Sequence, residues 1–386
     1  MLGYNFRTEA IPVFTGNLYN GESVIIDGVA YTPVKYSKNQ IRNAGKALLG
    51  KREMPSDEMF AIVNNWRFAH RYPLMRAKRL LERRAHLVDP QALVVDRLKR
   101  LPSIETKLKL QPTMQLSNMQ DIAGCRVIVA SSMQLIRLMG VFISHKNRLK
   151  AWERLGIDDY IGSPKPDGYR SLHLIYQYKS DSGQSSAFDG LTVEFQLRTH
   201  IQHVWATAVE VVSTFTQQDL KRGIGDPSWK RFFALASQFF SGTEDKTAAV
   251  PNTPVEMEDL MKEIIPLWDQ LEIVRVLQGF TEITIAHDKA FPGASHFVTM
   301  LNSREKKVSI KGFTAENVDE AWKLQTELEA KYREDLKIDV VFASADSLRE
   351  LRDAFPNYYG DTKEFVTKIW AAVNYWREKL GMKEVA

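Results

Sequence analysis

The residues able to do chemistry are concentrated between Arg97 and Thr199. Val193-Glu-Phe-Gln-Leu-Arg198 alternates apolar and polar side chains, which predicts a strand with Val193, Phe195 and Leu197 on one face. Glu194, Gln196 and Arg198 then share the other face, where a carboxylate could act as base or metal ligand and a guanidinium could hold a phosphate. An edge strand with a solvated face alternates in the same way, so the strand alone decides nothing. The preceding loop, Asp158-Asp-Tyr-Ile-Gly-Ser-Pro-Lys-Pro-Asp-Gly-Tyr-Arg-Ser-Leu-His173, adds weight. Pro164, Pro166 and Gly168 shape a turn from which Tyr169 projects, a ring suited to stacking on a nucleobase. Upstream, Asp121 stands at the mouth of the apolar strand that runs to Val129, and Arg97, Lys99, Arg100 and Lys107 form a cation cluster. The chain order is cations, carboxylate, aromatic loop, carboxylate. That order suits a triphosphate on Arg and Lys, Mg²⁺ on one carboxylate, and a second carboxylate activating a hydroxyl.

The elements that must position these groups alternate. Residues 92–200 read as helices and strands in turn, a mixed sheet with helices packed on it. Before them lie a short hairpin-like arm around Asp27-Gly28, a helix opening at Ser37, and a long amphipathic helical stretch from Ser56 interrupted at Pro73. After them come helices to about Phe240, a small polar stretch from Gly242 to Pro254, and a helix to about Leu277. Beyond that, three β-branched strands, a helix from Glu316, a strand at Ile338-Asp-Val-Val-Phe-Ala343 and two helices broken at Phe355-Pro-Asn-Tyr-Tyr-Gly360 read as a second module. The expected class is α+β: a mixed-sheet core flanked by helices, with a smaller C-terminal βββαβ-like α+β domain. The expected division is 1–54 arm and helix, 55–241 core, 242–277 linker and connecting helix, and 278–386 regulatory domain.

Composition agrees. The 386 residues are enough for two domains, and 44% hydrophobic with 26% charged residues is ordinary for a globular chain. The single cysteine, Cys125, allows neither a disulfide within the chain nor a thiolate zinc site. No apolar run approaches the roughly 20 residues of a membrane span, and the first residues carry no signal-peptide core, so a cytoplasmic location is expected. A pI near 9.0 hints at a polyanionic partner.

Over roughly residues 55–215 these segments resemble the RelA/SpoT nucleotidyltransferase (alarmone synthetase) family, whose motifs occur here in the family's order. The resemblance implies transfer of the β,γ-pyrophosphate of ATP to a ribose 3′-hydroxyl, with Mg²⁺. It assigns Arg97, Lys99 and Lys107 to the ATP phosphates and Asp121 to the metal. Tyr169 matches the loop tyrosine that stacks on the acceptor base, and His173 the histidine after it. Glu194 matches the glutamate that activates the hydroxyl and shares the metal, with Gln196 and Arg198 beside it on the acceptor side.

The acceptor is less plain. Alarmone-making relatives carry a basic residue just before Asp-Tyr-Ile, where this chain has Asp158. A carboxylate there repels a 5′-diphosphate by on the order of a few kcal/mol at 4–6 Å in a surface-like dielectric. An acceptor without terminal 5′-phosphates fits better, and the resemblance to toxic small alarmone synthetases implies the 3′-terminal adenosine of tRNA. Arg148, Lys150, Arg154 and Arg170 are the expected tRNA contacts. The alternative is (p)ppGpp or (p)ppApp synthesis on free GDP, GTP or adenosine nucleotides. A synthetase core followed by a βββαβ-like unit and Phe355-Pro-Asn-Tyr358 also resembles the CapRel branch, a toxin fused to its antitoxin. That likeness implies that Phe355 and Tyr358 close over the ATP site and that phage capsid protein relieves the block.

Overall fold

The computed structural model describes residues 23–144, 149–180, 183–216, 218, 220, 225–280, 284–287, 292–332, 335, 337–345 and 347–383. The first strands, β1 (Val24–Ile26) and β2 (Val29–Tyr31), pair across Asp27-Gly28, whose φ values of 51° and 78° give the turn that matches strand twist. Helix α1 (Lys38–Leu48) opens on a capping box in which the Ser37 hydroxyl accepts from the Gln40 amide and the Gln40 side chain accepts from the Ser37 amide. The long helical stretch divides at His70 into α2 (Ser56–Ala69) and α3 (Arg71–Ala85). Pro73 falls in the first turn of α3, where its missing N–H has no helical partner to lose.

The synthetase-like segment follows as β3 (Leu93–Leu98), α4 (Leu101–Leu110), β4 (Ala123–Val129), α5 (Ser132–Ile143), β5 (Trp152–Asp159), β6 (Leu172–Tyr178) and β7 (Thr192–Thr199). Four helices come next: α6 (His200–Thr216), α7 (Pro227–Phe240), α8 (Met257–Gln270) and α9 (Ile273–Phe280). The C-terminal part comprises β8 (Thr284–His287), β9 (His296–Asn302), β10 (Lys307–Phe313), α10 (Val318–Lys331), β11 (Ile338–Ser344), α11 (Leu348–Ala354), a 3₁₀ turn at Pro356–Tyr359, and α12 (Lys363–Leu380).

Nine strands form one mixed sheet in the order β5-β6-β7-β4-β3-β11-β9-β10-β8. The β4–β7 and β8–β10 pairs are parallel and the other neighbours antiparallel. The chain is thus α+β. The C-terminal strands extend the sheet of β3–β7, joined where Ser344 of β11 pairs with Asp96 of β3. The change of composition at about residue 278 marks no break in that sheet.

One sheet face is the main core. Val127, Val193, Phe195 and Leu197 pack there with Phe142 of α5, Leu81 of α3 and Trp322 of α10. Helix α10 is also fastened to α2: Arg67 and Glu329, both buried, form a two-pronged ion pair with N–O distances of 2.9 and 3.2 Å. Breaking such a pair from one side costs about 3–5 kcal/mol. The opposite face is shared. Over β3, β9, β10 and β11 it is covered by α11 and the 3₁₀ turn, with Phe355, Tyr358 and Tyr359 buried against Val95, Phe297 and Val341. Over β4, β6 and β7 it is the polar face that carries Glu194.

The stretch from Gly242 to Pro254 is docked. Asp245 accepts from Gln202 and Thr199, and the Val250 amide donates to Gln238. Among the described residues no helix is long and apolar enough to cross a membrane.

Candidate active site

Strand register brings the sequence-predicted residues together. In β7 the apolar residues Val193, Phe195 and Leu197 are fully buried in the core, which turns Glu194, Gln196 and Arg198 to the other face. Across the sheet, Asp158 lies opposite His173, His173 opposite Gln196, Gln196 opposite Arg126, and Arg126 opposite Val95. The neighbouring row runs Ile175, Glu194, Gly124, Arg97. A side chain at Gly124 would meet nothing within 4 Å, so the floor between Arg97 and Glu194 is open.

A hydrogen-bonded chain crosses the acceptor side. The Tyr169 hydroxyl lies 2.8 Å from His173 Nε2, and His173 Nδ1 lies 2.9 Å from Glu194 Oε1. Gln196 Nε2 donates to the other Glu194 oxygen at 2.5 Å. Burial alone would raise the Glu194 pKa, but the His173 and Gln196 hydrogen bonds outweigh it and hold the carboxyl at about 2. Burial would likewise lower the His173 pKa, yet Tyr169 and Glu194 carry it up to about 9. Tyr169, which burial pushes up, is drawn down to about 8 by His173 and Arg198. His173 is therefore an imidazolium at neutral pH, donating at both nitrogens.

The loop that carries Tyr169 is pinned. Gly168 has φ +91°, and an added Cβ would lie 2.7 Å from Ser237 Cβ and 3.1 Å from the Phe233 carbonyl oxygen. Only glycine fits there. The Ser237 hydroxyl donates to the Gly168 carbonyl at 2.6 Å, and Asp167 Oδ1 accepts from the Tyr169 amide at 2.9 Å. Behind the ring is a cavity of about 230 Å³. Trp205 and Phe233 supply its aromatic wall, and Arg97, Arg126, Arg198 and Lys165 bring cations to it.

The donor side centres on Asp121. Lys99 Nζ and Lys107 Nζ both reach Asp121 Oδ2, at 2.8 and 2.9 Å. Burial pushes the Asp121 carboxyl up, the two ammonium groups more than offset it, and the net pKa is lowered. Burial lowers the pKa of Lys99. Asp121 Oδ1 is buried with no hydrogen-bond partner, and Asp121 is close enough to Glu194 to feel its charge. A bare carboxylate oxygen with a second carboxylate in electrostatic reach suits a hard divalent cation whose other ligands are phosphate oxygens and water. Among the described residues no group of three or more His, Cys, Asp or Glu could hold a metal without such help.

The C-terminal part reaches this side. Phe355, Arg97, Gly124, Arg126 and Gln196 line one small cavity over the sheet floor. The Tyr358 hydroxyl donates to Asp339 Oδ2 at 3.0 Å, and Asp339 is ion-paired with Arg100.

Two of the expected tRNA contacts, Arg170 and Arg154, are engaged in hydrogen bonds within the chain. Arg170 is buried, its guanidinium held by Ser237 Oγ, Thr247 Oγ1 and the Ala248 carbonyl at 2.7–3.0 Å. It clamps the 242–254 segment and presents nothing to a ligand. Arg154 donates from one nitrogen to the Phe142 and Ile143 carbonyls at 3.1 Å, satisfying the C-terminal end of α5. Lys150 is exposed, and Arg148 lies outside the described residues.

Arg126 is a site residue that sequence reasoning missed. Burial, with Arg198 and Arg97 nearby, lowers its pKa to about 9. The alternation that singles out Glu194 would also have found Arg126, two residues from Gly124 on the same face of β4. Asp339 carried no comparable signal.

Paired carboxylates, a cation cluster and an aromatic loop on one sheet floor are chemically suited to phosphoryl transfer. Residues 96–218 match the family described as "Region found in RelA / SpoT proteins". Among curated relatives, the chain is 26% identical over 146 residues to GTP pyrophosphokinase YwaC of Bacillus subtilis, covering 36% of this chain and 67% of that protein. It is 32% identical over 125 residues to GTP pyrophosphokinase YjbM of the same organism, covering 31% of this chain and 54% of that protein. The chain thus spans between about half and two thirds of these relatives. The small alarmone synthetase 1 of Bacillus subtilis bound to its product pppGpp aligns with a TM-score of 0.38 at 24% identity, over 45% of this chain and 88% of that one.

Proposed function

We propose that the protein transfers the β,γ-pyrophosphate of ATP to a ribose 3′-hydroxyl. The observation that carries this reading is the placing of Glu194 and Asp121 within electrostatic reach of each other, each with its own retinue: His173 and Tyr169 on one side, Lys99 and Lys107 on the other. The acceptor nucleoside lies against Tyr169 with its 3′-hydroxyl hydrogen-bonded to Glu194. The hydroxyl oxygen attacks the β-phosphorus, the bond from that phosphorus to the α-phosphate oxygen breaks, and AMP leaves. The hydroxyl proton passes to Glu194. Arg97, Lys99 and Lys107 bind the triphosphate and stabilise its charge as it shifts. Mg²⁺, when bound at Asp121 and Glu194, neutralises phosphate charge.

The acceptor proposed is the 3′ end of tRNA, and its modification blocks translation. Asp158 supports this: it is exposed, lies opposite His173, and would repel the terminal phosphates of a free nucleotide. One observation favours a second reading, alarmone synthesis on GDP, GTP or adenosine nucleotides. The cavity behind Tyr169 gathers Arg126, Arg198 and Lys165, which a 5′-phosphate would satisfy as well as a phosphodiester.

The C-terminal part is read as a self-inhibitory element. Phe355 lines the small cavity shared with Arg97 and Arg126, beside the cations proposed for the donor nucleotide, and phage capsid protein is the trigger that the CapRel resemblance supplies. Incubating the full chain with labelled ATP and, in turn, tRNA, GDP, GTP and AMP tests the whole reading. Label on tRNA alone supports the toxin, label on a free nucleotide alone supports the alarmone synthetase, and no label with either, trigger present, rejects both.

A further inference from the structure

Most of the cations on the donor side are already spoken for within the chain. Lys99 and Lys107 share one oxygen of Asp121, a carboxylate that also feels the charge of Glu194. Arg100, which no motif assigns, stands at the N-cap of α4, one residue after Lys99 and three after Arg97. Its partner comes from far along the chain: Asp339 of β11. Asp339 belongs to the strand face of Val341 and Ala343, the face covered by the turn that bears Phe355 and Tyr358. Neither member of the pair is deeply buried, with Arg100 25% and Asp339 30% exposed, and Arg100 Nε has no hydrogen-bond partner.

We infer that Arg100 is a further donor-phosphate ligand and that Asp339 is its intramolecular competitor, a carboxylate held where a phosphate oxygen of the donor would sit. The inference rests on the donor-site reading above. The chemistry is simple exchange. A guanidinium at the head of a helix next to two lysines favours an anion, and a triphosphate brings more charge than one carboxylate. Binding of the donor must displace Asp339, and the displaced carboxylate, tied to Tyr358, would carry the Phe355 turn with it. Asp339 thereby links occupancy of the donor site to the position of the C-terminal turn.

Three full-length variants separate this electrostatic lock from aromatic packing: Asp339→Asn, Arg100→Gln, and both together. The asparagine oxygen still accepts from the Tyr358 hydroxyl, so the turn keeps its anchor and only the charge is removed. The readout is equilibrium binding of a non-hydrolysable ATP analogue with Mg²⁺, alongside a thermal melt to confirm folding. Asp339→Asn is expected to tighten binding about 3- to 10-fold, the scale of one partly exposed ion pair. Arg100→Gln is expected to weaken binding a few-fold by removing a phosphate ligand, and to abolish the gain from Asp339→Asn in the double variant. Unchanged affinity in folded Asp339→Asn overturns the inference alone, provided that binding is measurable and is weakened by Lys107→Ala. A gain that survives Arg100→Gln also overturns it, since Asp339 would then act by general repulsion. Absence of binding in every folded variant overturns the donor-site reading and this inference together.

Discussion

His173 Nδ1 lies 2.9 Å from Glu194 Oε1, and that contact sets the charge state of both groups. A carboxylate held at about 2 by an imidazolium and an amide is anionic at every working pH, but it is a weak base. It serves by accepting the hydroxyl's hydrogen bond early and its proton late. Glu194→Gln keeps the shape and loses the charge. Transfer from ATP is expected to fall by at least about 100-fold, with analogue binding within a few-fold of wild type. Near-normal transfer by that variant would remove Glu194 from the mechanism.

The same contact gives a pH signature of stability. His173 rises from an ordinary 6.5 to about 9 on folding, so it favours the folded state fully below 6.5 and loses that contribution as pH climbs through about 9. Glu194 falls from 4.5 to about 2, so its contribution is present above 4.5 and disappears as pH drops toward 2. In His173→Gln the decline of the urea midpoint between pH 6.5 and 9 should flatten relative to wild type. Identical slopes would mean that His173 is not charged in the folded protein.

Asp121→Asn tests the donor side. The isostere leaves room for a ligand but frees Lys99 and Lys107 from their shared oxygen. Mg²⁺-dependent transfer should fall to background, while metal-free binding of the ATP analogue should hold or tighten because two ammonium groups become available to phosphates. Retained Mg²⁺-dependent transfer would move the metal to another place.

Much of this site is legible in the sequence because strands obey a period of two. Once Val193, Phe195 and Leu197 are taken as core, Glu194, Gln196 and Arg198 must share a face, and the structure has them so. Position along the chain is a poorer guide for Arg170, which borders the acceptor loop yet is held by Ser237, Thr247 and Ala248, residues some 70 positions away. Nothing local distinguishes a buried clamp from a surface cation. Arg154 is similar, since its partners are the end carbonyls of a neighbouring helix. Alternation also finds strands β9, β10 and β11, but local patterns carry no information on which sheet they join. The pairing of Ser344 with Asp96 joins residues 248 positions apart.

Gly168→Ala should uncouple acceptor from donor. The backbone there is left-handed and a methyl group would collide with Ser237 Cβ at 2.7 Å, so the loop must move or unfold locally. Strain of about 1–3 kcal/mol is expected. Tyr169 would leave His173, acceptor turnover should drop by tenfold or more, and ATP-analogue binding should remain. Equal loss of both would show that the loop supports the whole sheet floor.

The self-inhibition reading needs variants gentler than truncation. Removing residues 278–386 would strip β8–β11 from the sheet, delete Glu329 from beside buried Arg67, and uncover the core around Phe68, whose ring lies 5.6 Å from Trp322. That truncated chain is expected to be insoluble, and its harmlessness in cells would say nothing about regulation. Phe355→Ala and Tyr358→Phe act locally. The first enlarges the cavity beside Arg97 and Arg126; the second removes the hydroxyl that anchors the turn to Asp339. If the turn blocks the donor, Phe355→Ala should bind the ATP analogue more tightly and become growth-inhibitory on expression without a trigger. Tyr358→Phe should do so more weakly, because a hydrogen bond to a charged group contributes about 1.5–3 kcal/mol where packing is kept. Glu194→Gln in the same chain should restore growth in both. Tighter binding without toxicity would mean that the C-terminal part also helps to assemble the active state. Unchanged binding in folded Phe355→Ala would leave the turn as core packing alone.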